Sequence, residues 1–118
     1  MSTHAPEIQA LLDKAAITDV INNYLRAADR ADIDLLKTCY HDDAWEDHGG
    51  VFDGTANDYI AIMAKALPRG GIMNHHATNI IIELEDDKAK VEHYILAYAR
   101  MKKEGEKFDT LTLARAID

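Results

Sequence analysis

The sequence predicts an α+β fold, because helical and strand patterns occupy separate parts of the chain. Three segments with apolar residues spaced at about 3.6 positions come first, between residues 7 and 67. Pro68–Gly71 ends the last of them, and segments with strand character follow. Helices followed by consecutive antiparallel strands are typical of α+β proteins. We therefore expect residues 1–118 to form one domain, with helices on the concave face of a curved antiparallel sheet and a pocket between them.

The composition excludes several classes of function. The formal net charge is −8 and the pI is near 5.1, which argues against a nucleic-acid partner and an anionic membrane surface. Cys39 is the single cysteine, so no internal disulfide can form, and we expect a reducing, cytoplasmic location. No apolar run is long enough to cross a membrane. Neither a glycine-rich phosphate loop nor a zinc-ligand spacing is present, so we predict no cofactor and no metal.

The first predicted helix, from about Glu7 to Arg30, has two apolar faces. At about 100° per residue the two faces point roughly 160° apart. Either the helix kinks near Asp13, or its first turns pack on something else, such as a partner chain or a lid over the pocket. We predict a homodimer on this basis. The first face carries Ile8, Leu11, Leu12 and Ala15, and the second carries Ile17, Val20, Ile21, Tyr24, Leu25 and Ala28.

The middle of the chain predicts two short helices and two short strands. Asp32 can cap the first helix, and Thr55 can cap the second, which should continue to Leu67. We predict one strand over residues 44–48 and a second at Val51–Phe52, with glycine-containing turns after each.

The last third of the chain predicts three long strands. The β-branched run Ile80–Ile82 is the strongest strand signal, and His75 and His76 stand directly ahead of it. Because side chains alternate along a strand, His75 and His76 should point in opposite directions. The three predicted strands cover residues 75–85, 89–102 and 108–117.

Several motifs together resemble one known family. Residues 15–24, with Asp29 and Asp32 after them, are similar to the first helix of SnoaL-like proteins, which belong to the nuclear-transport-factor-2-like superfamily. The further similar segments are 40–44, 75–79 and 87–94. The resemblance implies a cone-shaped α+β barrel with an internal pocket. Its members include scytalone dehydratase, hexachlorocyclohexane dehydrochlorinase, bile-acid dehydratase, polyketide cyclases and ketosteroid isomerase.

The resemblance implies a catalytic pair. Asp29 matches the aspartate that eliminating members use, and His75 matches their histidine, although His76 aligns better with the histidine of the bile-acid dehydratase. Tyr24 matches a tyrosine of that same enzyme. The chemistry is consistent, because a histidine can take a proton near neutral pH and a carboxylate beside it fixes its tautomer.

The sequence departs from the family pattern at two places. Residues 95–98 contain no acid, where the bile-acid enzyme has an aspartate. Family chains usually continue into a final strand that contributes a pocket arginine, whereas this chain stops at Asp118. We therefore expect either that the last strand is missing or that the pocket is built differently. We also expect either that another chain or a further C-terminal segment covers the free edge of the third long strand, or that this strand is short and frayed.

These observations lead to one leading hypothesis and one alternative. The first is a cofactor-independent lyase, a dehydratase or dehydrohalogenase, or a proton-shift isomerase that acts on a small, mostly apolar molecule. The alternative is a non-catalytic module that binds a hydrophobic ligand or another protein. The predicted catalytic residues are Asp29, His75 and Tyr24, and the predicted ligand-binding residues are Trp45, Phe52, Met63, Met73, His76 and Tyr94.

Overall fold

The computed structural model describes residues 5–103 and 106–117, and it confirms the α+β class and the order of the elements. Residues 104 and 105, in the predicted turn between the last two strands, lie outside the described residues, and so does Asp118. The elements are α1 (Pro6–Arg30), α2 (Ile33–Lys37), β1 (Trp45–Asp47), β2 (Asp53–Thr55), α3 (Ala56–Ala66), a 3₁₀ turn (Leu67–Arg69), β3 (Ile72–Glu85), β4 (Lys88–Lys103) and β5 (Glu106–Ile117).

Helix α1 is continuous over 25 residues and buries one of its two apolar faces. Ile21 and Leu25 of the second predicted face are buried, whereas Val20 of the same set is 45% exposed. Residue Ala31 ends the helix in a left-handed conformation, with φ of 53°. The first predicted face is open in the single chain: its three large residues, Ile8, Leu11 and Leu12, are all exposed.

Side-chain caps begin α2 and α3 as predicted. The Asp32 carboxylate accepts a hydrogen bond from the Leu35 N–H at 3.1 Å, and the Thr55 hydroxyl accepts one from the Asp58 N–H at 3.1 Å. The prediction of a strand at Val51–Phe52 is wrong. Those two residues belong to the turn that begins at His48, where the His48 N–H donates to the Phe52 carbonyl at 2.7 Å, so β2 begins at Asp53 instead.

The long strands form an antiparallel sheet in the order β3-β4-β5. A bulge interrupts the register between Thr78 and Ile81, and Asn79 within it has φ of 55°. Because one extra residue reverses the alternation of side chains, odd-numbered residues before the bulge and even-numbered residues after it face the same side. The bulge therefore turns both His75 and Ile82 toward α1.

Two apolar clusters hold the helices in place. The first joins Ile21 and Leu25 of α1 to Val91 of β4. The second joins Ala27 of α1, Leu36 of α2 and Ile60 of α3. Tyr24 packs against both clusters, so its ring lies where the sheet side and the helix side of the core meet.

The sheet does not close into a barrel within the described residues. In the part of the chain that the structure describes, β1 and β2 pair only with each other, and β3, β4 and β5 form a separate sheet. The structure thus has helices followed by antiparallel sheets in the manner of the cone fold, without the closed barrel that the resemblance implied. No helix among the described residues is long and apolar enough to span a membrane.

Candidate active site

Asp29 and His75 contact each other, although 46 residues separate them in sequence. Asp29 lies in the last turn of α1, and His75 lies near the start of β3. The His75 N–H donates a hydrogen bond to Asp29 Oδ2 at 3.1 Å, and Asp29 Oδ1 is hydrogen-bonded to His75 Nδ1. One carboxylate therefore holds both the backbone and the ring of the same histidine.

This contact determines which ring nitrogen can act as a base. An ionised carboxylate only accepts hydrogen bonds, so Nδ1 of neutral His75 must carry the proton that it shares with Asp29. Nε2 is then left with its lone pair, as a base requires. Each of the two side chains is 23% exposed, so the pair is largely sheltered and still accessible to a small molecule.

An open pocket of about 560 Å³ lies beside the pair. One wall is the last turns of α1 and the other is the first half of β3. The α1 wall consists of Asn22, Leu25, Arg26, Asp29 and Arg30, and the β3 wall consists of residues 73–77. Two predicted ligand-binding residues, Met73 and His76, line this pocket together with His75. His76 is exposed whereas His75 is half-buried, as the predicted alternation requires.

The other predicted ligand-binding residues lie outside that lining. Trp45 is 66% exposed, and its indole N–H donates to the Asp53 carboxylate at 2.6 Å. Phe52 packs on Tyr59 with ring centroids 5.5 Å apart. Met63 packs against the second apolar cluster. Tyr94 is 50% exposed and points to the sheet face opposite α1, because its neighbours on β4 face that helix.

Tyr24 belongs to a hydrogen-bonded cluster of three tyrosines, one histidine and one glutamate. The Tyr24 and Tyr59 hydroxyls are 3.1 Å apart, and Tyr59 Oη is 3.3 Å from His48 Nε2. His48 Nδ1 is 2.6 Å from Glu46 Oε1, and the Tyr40 hydroxyl donates to Glu46 Oε2 at 2.8 Å. Tyr24 is therefore directed into this cluster and is not among the residues that line the pocket at Asp29 and His75.

The cluster shifts the pKa values of its members. Burial raises the pKa of the Tyr24, Tyr40 and Tyr59 hydroxyls, so all three stay protonated near neutral pH. The hydrogen bond with Glu46 is the main cause that raises the pKa of His48, and burial opposes it. Burial works to raise the pKa of Glu46, but hydrogen bonds from His48 and Tyr40 outweigh it, and the net shift is downward.

Two groups of residues at or near the site were not predicted from the sequence. Tyr40 and Tyr59 gave no signal, because their cluster assembles from separate elements. Arg26 and Arg30 do have a recognisable sequence pattern, because with Asn22 they are spaced four residues apart along one side of α1. Across the part of the chain that the structure describes, no group of three or more His, Cys, Asp or Glu side chains could hold a metal ion.

Helices followed by antiparallel strands, with a pocket between α1 and β3, define the fold as α+β. The chain belongs to the SnoaL-like family, because the family model described as a SnoaL-like domain matches residues 9–116. No curated protein matches it.

Solved structures with the same fold are similar in shape and distant in sequence. A protein from Novosphingobium aromaticivorans, named as a "putative scytalone dehydratase", has 22% identity and a TM-score of 0.82, covering 92% of this chain and 73% of its own. The hexachlorocyclohexane dehydrochlorinase LinA-type3 from Novosphingobium barchaimii has 16% identity and a TM-score of 0.70, covering 95% and 90%. The Kfla4162 protein from Kribbella flavida has 18% identity and a TM-score of 0.73, covering 88% and 78%.

Proposed function

We propose that this protein is a cofactor-independent lyase that catalyses β-elimination, or a related proton shift, on a small molecule bound in the pocket beside Asp29 and His75. The observation that supports the proposal is the double contact of the Asp29 carboxylate with the backbone and the ring of His75. The names of the structural relatives, a dehydratase and a dehydrochlorinase, favour elimination over other proton-transfer reactions.

In the proposed reaction His75 Nε2 removes a proton from the carbon next to an activating group. The electron pair of that C–H bond forms the new carbon–carbon double bond, and the leaving group departs from the β-carbon with its bonding pair. Asp29 stabilises the imidazolium that results, because its carboxylate already faces Nδ1–H. A leaving hydroxide also needs a proton, whereas a leaving halide does not.

A donor role for Tyr24 is proposed on the family resemblance alone. The Tyr24 hydroxyl is bonded to that of Tyr59, so it would have to exchange this partner for the leaving group or an oxyanion. If Tyr24 acts in this way, Tyr24→Phe slows dehydration more than dehydrohalogenation, because only the leaving hydroxide requires the proton. Equal rates of the variant and the wild-type protein on a hydroxylated substrate would remove Tyr24 from the mechanism.

The test is a screen of β-hydroxy and β-halo carbonyl compounds and chlorinated cyclohexanes with three proteins: wild type, His75→Gln and His76→Gln. The two histidines are adjacent and line the same pocket, so the second variant is a matched control for the first. We expect His75→Gln to abolish turnover and His76→Gln to reduce it mildly. A substrate that His75→Gln converts at the wild-type rate would show that His75 is not the base.

A second candidate function is a non-catalytic module that binds a hydrophobic ligand or another protein chain, including a second copy of this one. The observation that favours it is the open apolar face of the first turns of α1, where Leu11 is 67% exposed. This candidate predicts that no compound in the screen is converted, while the protein still forms a homodimer through that face.

A further inference from the structure

We propose that Arg26 and Arg30 form a carboxylate-binding site on the α1 wall of the pocket, so that the substrate is a small organic acid. This inference rests on the proposed function for its catalytic meaning, because the site lies beside the Asp29–His75 pair. It differs from the mostly apolar substrate that the sequence suggested. The pocket residues around the pair carry guanidinium and amide groups.

The arginines belong to a polar stripe along the helix. Asn22, Arg26 and Arg30 follow one another at intervals of four residues, so each side chain is offset by about 40° from the last. Side chains at this spacing are neighbours, with Cβ atoms about 5–6 Å apart. All three line the pocket, so that the α1 wall offers the Asn22 amide beside the two guanidinium groups. A carboxylate lying along this stripe could be bound by two guanidinium groups and an amide N–H.

The local charge also favours an anion. Asp29 is the one acid among the described residues that line the pocket, and both of its oxygens are engaged by His75. Neither Arg26 nor Arg30 forms an ion pair with an acid in the part of the chain that the structure describes. This is notable in a chain with 21 acidic and 13 basic residues, where an acidic partner for an arginine is easily found.

The pocket is too polar for a purely apolar substrate. Its apolar lining comes from Leu25, Met73 and Ala77, whereas Asn22, Arg26, Asp29, Arg30 and His75 contribute an amide, charges and an imidazole. Guanidinium groups match the planar geometry of a carboxylate and can donate two parallel hydrogen bonds to it. We therefore infer that the carboxylate is bound on the α1 wall while the apolar part of the substrate contacts these three residues. The reacting carbon then faces His75.

The test is a binding measurement that does not require turnover. Benzoate, methyl benzoate and phenyl phosphate are titrated into the full chain, and dissociation constants are taken from backbone amide shifts in NMR spectra. We expect benzoate to bind at least fivefold more tightly than its neutral ester. The double variant Arg26→Gln/Arg30→Gln should weaken benzoate binding about tenfold, which is the loss expected for charge-assisted hydrogen bonds in an open pocket.

Two further variants make the result specific. Arg115→Gln removes the same charge from an exposed side chain on β5, outside the pocket lining, and should bind benzoate as the wild type does. Arg26→Lys/Arg30→Lys keeps the charge but loses the paired donors, and should give an intermediate affinity. Benzoate shifts should map to residues 73–77 and the last turns of α1.

The outcomes separate this inference from the proposed function. Equal affinities for benzoate and its ester, or unchanged benzoate binding by the double glutamine variant, would overturn it. Phenyl phosphate binding more tightly than benzoate, with the same dependence on Arg26 and Arg30, would replace the carboxylate with a phosphate. If His75→Gln binds benzoate normally and no compound in the screen is converted, the acid-binding site stands and the lyase function fails.

Discussion

Replacing Asp29 with asparagine tests the proposed catalytic role of Asp29 and His75, because the substitution keeps the shape of the side chain and removes its charge. In the wild-type protein the two carboxylate oxygens accept hydrogen bonds from the His75 N–H and from Nδ1–H. An asparagine has one oxygen that accepts and one NH₂ group that donates. It therefore cannot satisfy both donors of His75 at the same time.

The two possible orientations of the introduced amide have different consequences for the ring. If its oxygen accepts from the His75 N–H, its NH₂ group donates to Nδ1, and the proton of the neutral ring moves to Nε2. The base is then lost. If the amide is reversed, its NH₂ group faces the His75 N–H, and the two donors repel each other. The first orientation makes both hydrogen bonds, so we expect the tautomer with the proton on Nε2 to dominate.

We expect turnover to fall by about 10²–10⁴-fold in Asp29→Asn, which corresponds to about 3–5 kcal/mol of added barrier. The upper end of this range comes from a serine protease in which the same substitution changes the histidine tautomer. We expect stability to fall by only about 1–2 kcal/mol, because a charge-assisted hydrogen bond becomes a neutral one at a site that is 23% exposed. The rate should thus suffer more than the fold.

The assay combines ¹⁵N shifts of the His75 ring, thermal melting and rates on any substrate that the screen identifies. Asp19→Asn is the matched control, since it removes the same charge from an exposed position of the same helix. The control should have the wild-type tautomer and rate. The reasoning is refuted if Asp29→Asn keeps its proton on Nδ1 and turns over substrate like the control.

Three further predictions concern stability and assembly. Leu36→Ala should lower the free energy of unfolding by about 2.5–5 kcal/mol in denaturant titrations, because Leu36 is 1% exposed and joins all three helices. A decrease of less than about 1 kcal/mol would contradict this packing. Glu46→Gln should lower the stability most near pH 5–6, because the pKa of His48 is raised and the pKa of Glu46 is lowered in the folded protein. The stabilising contribution of His48 fades as the pH rises above its ordinary pKa of 6.5, and that of Glu46 fades as the pH falls below its ordinary pKa of 4.5. The pH-dependent part should stay below about 1 kcal/mol, since His48 is 41% exposed, and an equal stability difference at every pH from 3.5 to 8 would refute the pairing. Leu11→Lys should dissociate the predicted homodimer in light scattering, and an oligomer unchanged by it would move the interface elsewhere.

The elements that the sequence predicted correctly are those specified by local chemistry. Asp32 and Thr55 are good caps wherever they precede a helix, and Ile80–Ile82 has strong strand preference in any context. The second strand was misplaced because strand preference and turn formation compete within the same few residues. Val51–Phe52 has strand preference, but the hydrogen bonds of the turn at His48 occupy that segment, and the strand forms from Asp53–Thr55.

The site could be predicted only in part, because its members come from distant segments. The contact of Asp29 with His75 was expected from the family resemblance, since nothing local to either residue specifies it. The cluster around Tyr59 requires α1, the segment after α2, β1, the turn after β1 and α3 to meet, and a single sequence does not give those distances. The bulge at Asn79 was also missed, although an asparagine in the left-handed region is common at such positions.

Asp29 is unfavourable for the stability of α1, and its favourable contacts are those with His75 in the site. Near the carboxyl end of α1 a negative charge is repelled by the helix dipole, and a lysine or arginine would be favoured there. What compensates Asp29 is the pair of hydrogen bonds from one strand residue, His75. The bulge at Asn79 makes this compatible with the core: it lets His75 and the apolar Ile82 face α1 from the same strand. The unfavourable charge at the end of α1 and the bulge in β3 together place His75 at the edge of the pocket, where Asp29 is hydrogen-bonded to both its backbone and its ring.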